Sequence, residues 1–123
     1  MNLIVEDCIF RNNTYDDIAL GPVISQEGCF VLNAFIHNNS FDSSTWMNKG
    51  GTHDGAISII NGFEPLATAP YNRNISIDHN RFHNYKTAIC LRNAESVILS
   101  ENRMENVNEE VLIESPKKHI EEN

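Results

Sequence analysis

A ten-residue phrase recurs four times in this chain, and that recurrence restricts the fold more than anything else in the sequence. Its clearest copy lies within Asn74-Ile75-Ser76-Ile77-Asp78-His79-Asn80-Arg81-Phe82-His83-Asn84. Two aliphatic residues stand two apart; an Asn follows, then a Phe two further on and a second Asn two after that. Val97, Leu99, Asn102, Met104 and Asn106 keep the same spacing, as do Leu3, Val5, Cys8, Phe10 and Asn12. Ala34, Ile36, Asn39, Phe41 and Ser43 make the fourth copy. Repetition at this scale marks a repeat architecture, whose units bury their apolar faces only by stacking on one another.

The copies begin at Leu3, Ala34, Ile75 and Val97, so the steps are 31, 41 and 22 residues. The shortest step fits one coil of a parallel β-solenoid, with two or three short strands joined by tight turns. The longer steps are the same coil plus inserted loops, which a solenoid tolerates because each repeat contacts only its neighbours. No helical segment follows the Asn-x-Phe-x-Asn turn, which argues against a βαβ sheet. Coils rise about 4.8 Å, so equivalent side chains lie one above another. Leu3, Ala34, Ile75 and Val97 then form one inward aliphatic column. Phe10, Phe41, Phe82 and Met104 form a second, and Asn39, Asn80 and Asn102 a hydrogen-bonded ladder at a corner.

Taken in order, Leu3 to Asn12 alternates apolar and polar residues like a half-buried strand. Asn12-Asn13-Thr14 is turn chemistry, and Ile18-Ala19-Leu20 is a partner strand stopped by Gly21-Pro22. Phe30-Val31-Leu32 is a further short strand. After the second copy, residues 44–54 are an inserted loop and Ala56-Ile57-Ser58-Ile59 the next partner strand. Residues 61–72 are a second insertion, broken by Pro65 and Pro70. Ala88-Ile89-Cys90-Leu91 and Val111-Leu112-Ile113 are the remaining partner strands, with residues 92–96 a short turn. The expected organisation is therefore all-β: solenoid repeats over residues 1–114 and a charged tail over 115–123, either frayed or the start of further structure. About four coils leave both ends uncovered, so further coils or another copy are expected to cover them, with a fragment of a longer helix the favoured reading.

A net charge of −8 leaves no basic patch for nucleic acid or an anionic membrane, and no stretch approaches a membrane span. The first residues lack the basic and apolar regions of a signal peptide. Cys8, Cys29 and Cys90 have neither an even number nor CxxC spacing, so they form no disulfide framework and no zinc site. A Cys8–Cys29 bridge stays open. Cys8 stands where other copies carry Asn, and is expected to face inward as a small apolar residue. No cofactor is expected. His37, His79 and His83 fall at outward positions, and the sequons at Asn12, Asn38 and Asn74 are a by-product of an Asn-rich repeat.

The repeat resembles the right-handed parallel β-helix proteins of the pectin-lyase-like superfamily, over residues 2 to about 114. Ala56-Ile57-Ser58-Ile59 followed by Pro70-Tyr71-Asn72-Arg73-Asn74-Ile75-Ser76-Ile77 resembles the late coils of bacterial β-helix glycoside hydrolases, including the α-1,3-galactosidase family. Cys29 to Phe41 is similar to the preceding coil of those proteins. The resemblance implies a right-handed single-stranded helix from a secreted or periplasmic bacterial protein acting on a poly- or oligosaccharide. It also implies that most of the family's main acidic residues lie upstream of Met1.

Asp16-Asp17-Ile18-Ala19-Leu20 is similar to the Gly-Asp-Asp-Cys-Ile-Ala motif of polygalacturonases, whose carboxylates do acid and base work on a glycosidic bond. Here Tyr15 replaces the Gly, and the residue between the Asp pair and the Ile is missing. Gly50-Gly51-Thr52-His53-Asp54-Gly55 stands at a place comparable to that family's Gly-His-Gly. Arg92 lies near its basic sugar-binding residue, although a solvated turn residue is the plainer reading. Asp17 and Asp54 precede equivalent partner strands one coil apart, a placement from which two carboxyls can reach the separations of about 5–9.5 Å that glycosidases use. The catalytic candidates are therefore Asp16, Asp17, His53 and Asp54. Tyr15, Trp46 and Arg92 are the substrate-binding candidates, Tyr15 and Trp46 as a stacking platform, with a lid the other reading of Trp46. A glycoside hydrolase is the first expectation. A non-catalytic glycan-binding, adhesin or spacer module is the second, and a lyase the third, though the sequence lacks the Ca²⁺ carboxylate cluster a lyase usually uses.

Overall fold

A computed structural model describes residues 3–20, 32–44, 55–59, 72–92, 94–114 and 120–122. These residues are all-β with parallel sheets, and none of them is in a helix. One sheet is ordered β1 (Leu3–Glu6), β4 (Leu32–His37), β7 (Asn72–Asp78), β9 (Ala94–Ser100) and β11 (Ile120–Glu122). In the other, β2 (Ile9–Arg11) pairs with β5 (Ser40–Asp42), and β3 (Ile18–Leu20) with β6 (Ile57–Ile59). Both β5 and β6 lie along the long strand β8 (Arg81–Arg92), whose other edge carries β10 (Arg103–Glu114). The pairing register reproduces the repeat: Leu3 faces Ala34, Ala34 faces Ile75, and Ile75 faces Val97.

The corners explain how the chain passes from one sheet to the other. Among the described residues, eleven non-glycine residues have positive φ, and all fall into three columns. Asp7, Asn38, His79 and Glu101 precede the inner Asn position; Asn12, Ser43, Asn84 and Asn106 close each phrase; Asn33, Asn74 and Ser96 precede the aliphatic strand. A left-handed residue turns the chain sharply at small cost when it is Asn or Asp, which accounts for the Asn content of the phrase. On the exposed side of the corners the same residues bond between copies of the phrase. Asn106 Nδ2 donates to Asn84 Oδ1 at 2.6 Å, Asn84 Nδ2 to Ser43 Oγ at 3.1 Å, and Asn74 Nδ2 to Asn33 Oδ1.

Inside, the aliphatic columns are closed to solvent at Ala34, Ile36, Ile75, Ile77 and Val97. Phe10, Phe41 and Phe82 stack face to face with centroids 5.0 and 4.8 Å apart, and Tyr85 meets Phe82 edge-on at 6.3 Å. The Asn ladder has a fixed polarity. The backbone N–H of Asn39 donates to Asn80 Oδ1 at 2.9 Å, and that of Asn80 to Asn102 Oδ1 at 3.1 Å. Each amide nitrogen reaches the other way: Asn39 Nδ2 donates to the Val5 carbonyl, Asn80 Nδ2 to Ile36, and Asn102 Nδ2 to Ile77, at 2.8–3.0 Å. Buried corner groups are thereby satisfied by side chains rather than water. Gly55 is a second fixed point. A Cβ there would stand 3.0 Å from the Cys90 nitrogen and the Ile57 oxygen, so the backbone approach to β8 requires glycine.

Several expectations need correction. Cys8 is exposed, because the coil that carries it has a neighbour on one side only among the described residues; its N–H still joins the ladder, donating to Asn39 Oδ1 at 2.9 Å. Cys8 is a free thiol, and Cys29 lies outside the described residues, as do Phe30 and Val31. Leu32 opens β4 instead of closing a separate strand. Of the stretch 92–96 expected to be a turn, Arg92 ends β8, Ala94 and Glu95 belong to β9 and pair with Asn72 and Arg73, and Ser96 is a left-handed bend; Asn93 lies outside the described residues. The tail is not frayed throughout, since β11 pairs with β9 from Ile120 opposite Val97 to Glu122 opposite Leu99.

Candidate functional site

Asp17 is held by its surroundings. Its backbone N–H donates to the Ala56 carbonyl at 2.9 Å, fixing the entry to β3. Its carboxylate accepts from Asn13 Nδ2 at 2.6 Å and from the Tyr85 hydroxyl at 2.7 Å. Burial, with the Asp17 carboxylate as acceptor, drives the Tyr85 hydroxyl well above the ordinary phenol range, so Tyr85 remains a donor. Asp17 thus clasps the turn at 13–17 to the core. Asp16 is half-buried beside it, and Tyr15 is 56% exposed.

Arg92 is at the end of β8 and 7% exposed, its carbonyl accepting from Asn72 Nδ2. The expected solvated turn residue is therefore a buried strand residue, because β8 continues past the partner strand. Trp46, His53 and Asp54 lie outside the described residues. Register sets Ile18 opposite Ile57, so Asp17 lies against Ala56.

The outer face of the six-stranded sheet carries what the sequence reading missed. Residues flanking the buried Phe column point away from it. One outward column is Ser40, Arg81 and Arg103; the next is Arg11, Asp42, His83 and Glu105. Contacts between strands fix their side chains. His83 Nδ1 is 3.0 Å from Asp42 Oδ1, and Arg81 grips Glu105 with two nitrogens at 3.2 and 3.1 Å. Arg103 Nε lies 3.3 Å from the same carboxylate. The Ser43 hydroxyl, 2.6 Å from Asp42 Oδ1, and then His83 hold the Asp42 carboxyl below its usual range; Arg81 does so for Glu105. Both acids are ionised at neutral pH. They suit hydrogen bonding and orientation better than proton donation, which needs a carboxyl held above its usual range. The signal was present at one fixed position of every copy, immediately after the Phe or Met, but it is visible only when copies are read one above another.

A shallow corner groove adjoins this face, lined by Asp7, Cys8, Ile9, Asn38, His79 and Arg81. His37 and His79 face outward, 2.7 Å from Glu6 and 2.8 Å from Asp78. Among the described residues no group of three His, Cys, Asp or Glu side chains is placed to hold a metal ion. Comparison with protein-family profiles, curated proteins and solved structures finds no match to this chain.

Proposed function

We propose that the chain is part of a right-handed parallel β-helix of the pectin-lyase-like kind, and that it binds a poly- or oligosaccharide along the outer face of its six-stranded sheet. The hand follows from the near-universal right-handedness of strand–crossover–parallel strand connections. The observation that carries the binding reading is the pre-set polar surface of Arg11, Asp42, Arg81, His83, Arg103 and Glu105, spaced one strand apart. Planar charged side chains held by their neighbours bond sugar hydroxyls with little ordering cost. Exposed Tyr15 offers an apolar face nearby in sequence for stacking.

Glycoside hydrolysis is the second reading, favoured by one observation: the Asp17 amide is bonded to Ala56, next to the Gly-rich stretch that ends at Gly55. Glycan-array binding followed by calorimetry on the parent chain, Arg81→Ala, His83→Ala and Asp17→Asn separates the two. Binding without turnover, weakened about tenfold or more by Arg81→Ala or His83→Ala, supports the proposal. Turnover abolished by Asp17→Asn while the fold persists would replace it with hydrolysis. Affinity indifferent to Arg81 and His83 would remove the face from consideration.

A further inference from the structure

The two ends of the stack are matching halves, and one short strand stands between them. At one end Leu3, Val5, Phe10 and Leu20 are only partly buried against the core; at the other Met104, Val107, Val111 and Ile113 are. Among the described residues β1, β2 and β3 each pair on one edge, as does β10. A second copy brought end-on, one strand spacing beyond β9 and β10, continues the repeat. Its Leu3 and Val5 then follow Val97 and Leu99, and its Phe10 follows Met104. Its Arg11 arrives opposite Glu105, prolonging a column that reads Arg11, Asp42, His83, Glu105. Its Asn12 arrives above Asn106, where the outer ladder already runs from Asn106 to Asn84 to Ser43, so Asn12 Nδ2 meets Asn106 Oδ1. Cys8 is the weak point of the join, since it brings no amide oxygen to the N–H of Asn102.

The strand β11 occupies the place that join requires. It lies along the free edge of β9, in register with Val97, Ile98 and Leu99, where Leu3 and Val5 of the second copy would otherwise pair. We propose that β11 is an edge guard: in place, it prevents end-to-end association of copies of this chain, and its release permits head-to-tail growth. An open strand edge recruits other strands, and a heterologous join that does not close produces filaments. This holds whatever the outer face binds.

Sedimentation velocity tests it on the parent chain, on Ile120→Pro and on a chain ending at Glu114. The parent stays monomeric over a roughly hundred-fold concentration range, while both variants give species that grow with concentration. Adding Arg11→Glu to either variant weakens that association by about fivefold or more, because two like charges then meet at Glu105. Hydrogen exchange at Ile98 and Leu99, measured at a concentration low enough that the variants are still monomeric, reports whether β11 is released. Variants that remain monomeric, a parent that associates as strongly as they do, association indifferent to Arg11→Glu, or unchanged protection in Ile120→Pro would each overturn the proposal.

Discussion

Removing the side chain of Asn80 takes a hydrogen-bond partner from two groups of the preceding coil. The amide N–H of Asn39 loses its acceptor, and the carbonyl of Ile36 loses the nitrogen that donates to it. Both are inside the stack, so Asn80→Ala should cost about 3 kcal/mol in denaturant unfolding, at the upper end for a buried unsatisfied group. Asn84→Ala meets a different penalty. Its φ of 65° is the left-handed region, where an ordinary side chain costs about 1 kcal/mol, and Asn84→Gly should recover most of that. At Asp42 the prediction concerns pH. Its folded pKa lies below the ordinary 3.8, chiefly through the Ser43 hydroxyl. The stability this contributes is complete above about pH 4 and lost as pH falls through the depressed folded value. Ser43→Gly keeps the left-handed turn and removes the hydroxyl, so an NMR titration should find the Asp42 midpoint moved upward.

At the scale of elements, the entry to β3 depends on one hydroxyl. Tyr85→Phe leaves the Asp17 carboxylate with Asn13 alone among its described side-chain donors. A loss of about 1.5–3 kcal/mol is expected for a hydrogen bond to a charged group, with faster hydrogen exchange at Ile18. Because the folded pKa of Tyr85 is raised, the stability gained from its neutral form is present below about pH 10 and falls as the phenol titrates above it. The aromatic stack is the other element-scale test. Phe41 is sandwiched between Phe10 and Phe82, and Phe41→Ala should cost about 3–5 kcal/mol in thermal or chemical unfolding. The strands, both inward columns and the Asn ladder were legible in the sequence, because stacking forces one residue type to recur at one position. The outer face was not, since Arg11, Asp42, His83 and Glu105 share a position but no chemistry, and periodicity searches for likeness. β11 was hidden for another reason: Ile120-Glu121-Glu122 is too short to alternate detectably and carries no Asn-x-Phe phrase. Cys8 misled because its position was read correctly while its exposure depended on what lies beyond its coil.

For the whole molecule, the pairing means that each coil contacts only the coils next to it in sequence, and the first described coil has one such neighbour. Stability in such an array is a sum of neighbour terms. Amide protection should therefore be greatest in β7 and the first half of β8, and lower in β1, β2 and β10. A uniform protection profile would contradict this picture. The polarity of the inner ladder adds something to it. When Asn39 is made, the carbonyl of Val5 that its amide nitrogen needs already exists, while the oxygen its own N–H needs is still unsynthesised on Asn80. A chain emerging from the ribosome is thus offered a finished mould for each new coil, and each new coil completes the last. Growth of this kind works like a zip drawn from one end: interruption shortens the product without spoiling what has already closed.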